Sequence, residues 1–305
     1  MELASITFWQ VCILFVLIFT GVLCAKMRIF SAEAKSVLSN MLVYLIMPAM
    51  ALNSYLVDYD PEVSKNIFRA FSYSIALNAV SIALTFLLNR DKDNTRTPLC
   101  RLACIFSNAG YMGYPLIQAL YGTEGLMYAS VYVTLFNLLL WTVGVRLMTR
   151  QQTGGELWRI FKNPVIWAVA LGLAIYYLRI PVPQLIRAPL KYIGDMNTPI
   201  SMMITGILLA ESNVFGILRD SLLWRTVTVR LLIIPAVCVA SFFVLGIRDM
   251  AAQVTLLQEA CPCAAITSVF AVQFHYDEGF AGGLVVVSTL LSIITLPLCA
   301  LLLTM

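Results

Sequence analysis

Charge is scarce in this chain of 305 residues: Asp, Glu, Lys and Arg make up 12%, about half the ~25% usual in soluble globular proteins. So few charges cannot coat a large water-facing surface. Histidine occurs once, at His275, so no His-x-x-x-His pair exists, and no plausible Ser/His/Asp set surrounds it. A glycine-rich phosphate loop is also missing, and no enzyme is expected. There is no basic tract, and the net charge is only +4, which leaves no electrostatic footprint for nucleic acid. Most of the eight cysteines, Cys12, Cys24, Cys104, Cys238 and Cys299 among them, sit inside apolar stretches as small hydrophobes. They say nothing firm about redox compartment.

Hydrocarbon is what the chain has instead. Apolar residues make up 60%, and the mean hydropathy is +0.87. They form ten runs of about 20 residues, the length that carries a helix across ~30 Å of hydrocarbon. The runs predict spans at about 7–25, 37–57, 66–89, 98–121, 125–148, 163–179, 189–210, 221–246, 251–274 and 279–303. Ten spans use about 200 residues, which leaves short connections and no room for a soluble catalytic domain. The fold class is therefore an all-α membrane protein. No positive charge precedes the first run, and Lys26 and Arg28 follow it, so it reads as a retained anchor rather than a cleaved signal.

Lys and Arg set the orientation. Thirteen of the 20 fall in odd-numbered connections and six in even-numbered ones, leaving Arg230 inside a span. By the positive-inside rule the odd connections are cytoplasmic and both termini lie outside. The longest polar connection, Thr149 to Lys162 with Gly154 and Gly155, divides the chain into two five-span halves: 1–150, a linker at 151–162, and 163–305. An odd number of spans per half inverts one half against the other, as in inverted-repeat transporters. Pro48 has a counterpart in Pro199, 151 residues later, and Pro115 one in Pro262, 147 later. Chance coincidence of simple kinks is the competing reading.

Two clusters interrupt the apolar pattern. In span 4, Ser107-Asn108-Ala109-Gly110-Tyr111-Met112-Gly113-Tyr114-Pro115 combines helix-weakening glycines, a proline that removes a donor, and an amide. In span 9, Gln258-Glu259-Ala260-Cys261-Pro262-Cys263 lies at the corresponding depth. Two broken helices meeting near the midplane would offer carbonyls to a cation and half-helix amino ends to an anion; two independent kinks are the alternative. Glu259 is set apart among the 16 acids, the other 15 lying in loops, tails or span ends. It must be protonated, paired with a cation, or facing water, which makes it a sodium ligand, a proton carrier, or a structural acid. Ser130 and Thr134, four apart on one helical face, could complete an oxygen cage with Ser107, Asn108 and Glu259, or merely pack. Arg230, about two turns into span 8, reads as snorkelling to the headgroups rather than holding a substrate carboxylate. His275 reads as a solvated residue of an outer loop. Cys261 and Cys263 are two thiols without further ligands, a weak metal signal.

At this point the residues carry a resemblance. SNAGYMGYPLIQALYG in span 4, KNPVIW at the opening of span 6, RLLIIP in span 8 and the closing PCAAITSVFAVQFHYDEGFAGGLVVVSTLLSIITLPL resemble the auxin efflux carrier family in its compact prokaryotic form, over nearly the whole chain. The resemblance implies ten helices in two inverted five-helix repeats, with broken crossover helices 4 and 9 at the substrate site, similar to the bile acid sodium symporters. Asn108 and Pro115 match the crossover of helix 4, and Pro262 that of helix 9. In the bile acid symporters an acidic residue at the helix 9 crossover and a Ser-Asn pair in helix 4 serve sodium; Glu259 and Ser107-Asn108 resemble them. The long central loop of plant auxin carriers is replaced here by about a dozen residues, a departure from their loop regulation and from auxin itself.

The expected function is secondary active transport of a small organic anion, a carboxylate, by alternating access, with coupling to sodium, to protons or to nothing. A receptor that binds such anions without moving them is the reading from another class. Substrate contacts are expected from Asn108, Gly110, Gly113, Tyr114, Pro115, Pro262 and Cys263. Ion coupling is expected from Ser107, Asn108, Ser130, Thr134 and Glu259, with Glu259 the sodium ligand. No cofactor is expected beyond a sodium ion. The expected partners are the anion and the lipid bilayer, with the oligomeric state left open between a monomer and a homodimer. The expected location is the plasma membrane, the inner membrane of a bacterium.

Overall fold

The computed structural model describes residues 2–29, 34–89, 95–149, 164–211 and 218–303. The 151–162 linker lies outside them. Among the described residues the chain is all-helical, without a strand; its one β-type contact is an isolated antiparallel bridge between Ser107 and Cys263. The first half comprises α1 (Glu2–Lys26), α2 (Ala34–Met41), α3 (Met47–Ser54), α4 (Pro61–Leu88), α5 (Thr97–Ile105), α6 (Tyr114–Leu139) and α7 (Val145–Thr149). The second comprises α8 (Pro164–Leu178), α9 (Gln184–Asp195), α10 (Asn197–Glu211), α11 (Ser221–Thr228), α12 (Ile234–Val244), α13 (Met250–Ala260), α14 (Ile266–Gln273) and α15 (Glu278–Leu302). Wider π-helical turns at Leu42–Ile46, Leu140–Gly144 and Val229–Ile233 join segments within longer helices, and one at Ala109–Gly113 leads into α6.

Among the described residues six helical stretches are long and apolar enough to cross a membrane: Ser5–Lys26, Ser36–Ser54, Pro61–Leu88, Ala109–Thr149, Ser221–Val244 and Glu278–Leu302. The difference from ten apolar runs has visible causes. The Ala109–Thr149 stretch would be about 60 Å long if straight, twice the hydrocarbon thickness. It is not straight, because Gly122 adopts φ +60° and ψ −147°, a conformation open to glycine alone. There the chain doubles back: Gly125 lies against Ile117, Tyr132 hydrogen-bonds Ser107, Phe136 stacks edge-on to Phe106, and Gly144 meets Leu102. Runs 7 and 9 are each split, at Met196 and at Cys261–Ala265, and Pro164–Leu178 is apolar but shorter.

Prolines explain three of the four wide turns. Pro48, Pro115 and Pro235 each follow a π stretch by two residues. A proline cannot donate to the carbonyl four residues back and crowds it; those carbonyls belong to Tyr44, Tyr111 and Leu231, all inside the stretches. Widening the turn relieves the crowding without ending the helix.

Acidic residues, nearly absent from the spans, open them. Asp60, Asp220, Asp249 and Asp277 cap α4, α11, α13 and α15 by accepting from Glu62, Leu222, Ala252 and Phe280 backbone N–H at 2.7–2.9 Å, where the helix dipole favours a negative charge. The caps fall at two ends of the molecule. At one, Arg96 bridges Asp220 (2.6 Å) and Asp277 (2.5 Å), and Tyr276 donates to the Met148 carbonyl. His275, expected at an outer loop, shares this end, the one the Lys/Arg census assigns to the cytoplasm. At the other end Tyr176 donates to the Asp60 carbonyl (2.8 Å), Tyr73 to Asp249 (3.0 Å), Tyr121 to Gln253 (3.0 Å), and Arg187 to the Leu56 carbonyl.

The helices gather in two groups. α1 packs along α10 and α15, and α3 against α8 and α9, while α4, α6 and α13 pack together. Gly206 sets the closest approach in the first group: a Cβ there would stand 2.1 Å from the Ile18 carbonyl oxygen and 2.9 Å from Gly21 Cα. Gly172 of α8 similarly lies against the Tyr55 ring.

Candidate functional site

The sequence unwinds two helices where they meet. Cys261 precedes Pro262, whose ring pushes the preceding residue out of the helical region. Its φ −57° and ψ 153° end α13. On the other side α5 ends at Phe106, extended at φ −101° and ψ 113°, followed by Asn108 at ψ 43°. The two unwound segments pair: Asn108 N–H donates to the Pro262 carbonyl at 2.7 Å, and Ala264 N–H to the Phe106 carbonyl at 2.9 Å. Cys263 N–H donates to Ser288 Oγ of α15 at 3.1 Å. Backbone groups that would be costly in hydrocarbon are satisfied by the crossing itself.

One buried ion pair organises the centre. Arg230 and Glu259 both have 0% exposure, with Arg230 Nη1 at 3.0 Å from Glu259 Oε1. Ser81 Oγ also donates to Oε1 (2.7 Å), and Tyr132 OH to Oε2 (2.6 Å). The Ser107 hydroxyl lies 3.3 Å from the Tyr132 oxygen, so Ser107 reaches the carboxylate through Tyr132. The guanidinium spends its other donors on backbone: Nε on the Cys261 carbonyl (3.1 Å), Nη1 on the Cys104 carbonyl (2.8 Å), and Nη2 on the Glu259 carbonyl. Arg230 thus does not snorkel. It is drawn inward because the carbonyl ends of α5 and α13 and one carboxylate concentrate negative charge there. Glu259 and Arg230, taken one by one in the sequence, are a pair, and charge neutrality in a low-dielectric interior was the signal that could have matched them.

Ser130 and Thr134 turn elsewhere. Ser130 Oγ lies 2.6 Å from Tyr55 OH and donates to the Met127 carbonyl, and Thr134 donates to the Ser130 carbonyl at 2.8 Å. Around the crossing, by contrast, buried polar atoms stand without hydrogen-bond partners: Asn108 Nδ2 and both Oε1 and Nε2 of Gln258. Gln258 leans on Gly113, where a Cβ would come 2.0 Å from its Oε1, and Gly110 faces the Met47 methyl of α3. Pro115 sits in the first turn of α6. Of the expected contacts, Ser107, Asn108, Gly113, Pro262, Cys263 and Glu259 therefore converge on the crossing. Gln258, named with the span 9 cluster but given no role, joins them, as do Ser81, Tyr132 and Ser288, which had not been singled out. Among the described residues no three or more His, Cys, Asp or Glu cluster as metal ligands would.

The chain matches the family described as membrane transport protein over residues 6–157 and 154–300. It is 27% identical, over 93% of its length and 94% of the relative's, to a Methanothermobacter thermautotrophicus protein named "uncharacterized transporter". A Rhizobium meliloti protein named "putative malonate transporter" is 24% identical over 92% of this chain and 91% of its own. A rice protein named "probable auxin efflux carrier component 1b" is 26% identical over 45% of this chain and 26% of its own.

Proposed function

Because the chain belongs to the membrane transport protein family, the auxin efflux carrier family, and is a multi-pass membrane transporter rather than an enzyme, we propose that it carries a small organic anion of the carboxylate class by alternating access. The observation that carries this reading is the set of unpartnered donors at the crossing. Asn108 Nδ2 and Gln258 Nε2 are buried without acceptors, each at a cost of ~1–3 kcal/mol. A carboxylate would supply those acceptors. The amino ends of the second half-helices, at Ala109 and Ile266, add positive potential without a full charge. The name of the Rhizobium meliloti relative makes malonate the first probe.

Ten spans in two inverted halves, 1–150 and 163–305, fit this mechanism, and residue spacing supports them. Gly172 follows Gly21 by 151 residues and Gly206 follows Tyr55 by 151, so the α1–α10 contact and the α3–α8 contact exchange under one offset. The two backbone bonds of the bridge exchange likewise: Asn108 to Pro262 becomes Ala264 to Phe106 under an offset of 156. The excess of Lys and Arg at one end supports cytoplasmic odd connections, outside termini and a plasma-membrane location.

The test is counterflow of labelled malonate and related carboxylates in proteoliposomes, which a non-transporting receptor cannot perform. Asn108→Ala is expected to weaken half-saturation about tenfold, the loss of one hydrogen bond to a charged group, and Asn108→Asp more through repulsion. Equal affinity for an acid and its uncharged amide would overturn the anion assignment.

A further inference from the structure

We infer that Arg230 is the crossing's own cation, tethered where a coupling metal ion would otherwise have to bind. The inference rests on the crossing being the transport site. Three backbone carbonyls, of Cys104, Glu259 and Cys261, and the Glu259 carboxylate surround the guanidinium. Carbonyl and carboxylate oxygens are the ligands a hard cation selects, and here they come from the carbonyl ends of both first half-helices, α5 and α13. One planar group with fixed donors answers all of them: Nε makes one bond, Nη1 two and Nη2 one. The negative ends of two helix dipoles and a full carboxylate charge are neutralised together. The side chain enters from the π turn Val229–Ile233 and is wholly buried, so this cation neither arrives nor leaves with the cargo. Sodium has no empty oxygen set to occupy at Glu259, and the charge that crosses the membrane is the anion's own.

The inference is tested on purified full-length protein by thermal unfolding in sodium, potassium and choline chloride at equal ionic strength. The parent is expected to melt within about 1 °C in all three salts, since ions that bind only the native state raise the midpoint. Arg230→Ala is expected to melt on the order of 10 °C lower, the effect of stranding a buried carboxylate. Millimolar ethylguanidinium, which refills the void, should restore at least half of that loss saturably, and tetramethylammonium should not. Should Arg230→Ala not fold, Arg230→Gln and the double variant Arg230→Gln with Glu259→Gln carry the same comparison. The double variant, free of unpaired charge, is expected to melt closer to the parent than the single one. A saturable rise of the parent midpoint with sodium alone, no response of Arg230→Ala to ethylguanidinium, or a double variant no better than the single would each overturn the assignment. No transported anion enters the experiment, so its failure is distinct from failure of the carboxylate reading.

Discussion

Two of the close helix crossings in this protein are made by opposite means. Where α1 meets α10, small residues make the contact: Gly206 lets the backbone of one helix rest on the Ile18 carbonyl and Gly21 of the other. Where α5 meets α13 the helices unwind and trade backbone hydrogen bonds around an ion pair. The glycine contact is held by dispersion between close-fitting surfaces, which admits one register and no substitute partner. At the polar crossing, each bond can be exchanged for one to water or ligand. A transporter needs both kinds of joint, one that stays and one that responds.

The sharpest way to break the first joint is Gly206→Leu. Its Cβ alone would stand 2.1 Å from a backbone oxygen that cannot move aside, so folded protein in detergent should fall at least tenfold by size-exclusion recovery. Glu259→Gln attacks the second joint by leaving Arg230 charged and unpaired. A loss of ~3–5 kcal/mol is expected from breaking such a pair, read as a lower thermal midpoint. Pro262→Ala separates the roles of the two joints. It lets Cys261 return to the helical region, so initial transport rates should drop about tenfold while recovered protein changes less than twofold. Transport equal to the parent would make Pro262 an ordinary kink. The smallest effect is expected from Ser130→Ala, which removes a hydroxyl bonded to Tyr55 and Met127 rather than to the ion pair. About 1 kcal/mol of stability should be lost, with half-saturation for the transported anion unchanged.

Much of this arrangement is legible before any coordinates. Apolar run length locates the helices because hydrocarbon thickness is fixed. Pro262 marks one break because its ring acts on its own neighbour, and Asn108 lies at the other. Side-chain partnership between helices is less legible, because it depends on rotation and depth that no single run contains. Ser130 and Thr134 illustrate the limit. Spacing by four does put them on one face, but the same spacing lets a hydroxyl bond the carbonyl one turn back, and that is where Thr134 spends its proton. Arg230 illustrates it in reverse: near a helix end by count, it is internal because the carbonyl ends of two other helices point at it.

The Ser107–Cys263 bridge has a consequence for how such a carrier can change over generations. Both of its bonds run from backbone N–H to backbone carbonyl, so the joint makes no demand on the side chains of Phe106, Ser107, Cys263 or Ala264 beyond their fitting the space. Only the conformation is demanded, and Pro262 helps to impose it from the neighbouring position. With the cargo at the crossing, as proposed, side chains beside it can be exchanged one at a time without dismantling that joint, which would make a change of substrate a matter of few mutations rather than of a new fold.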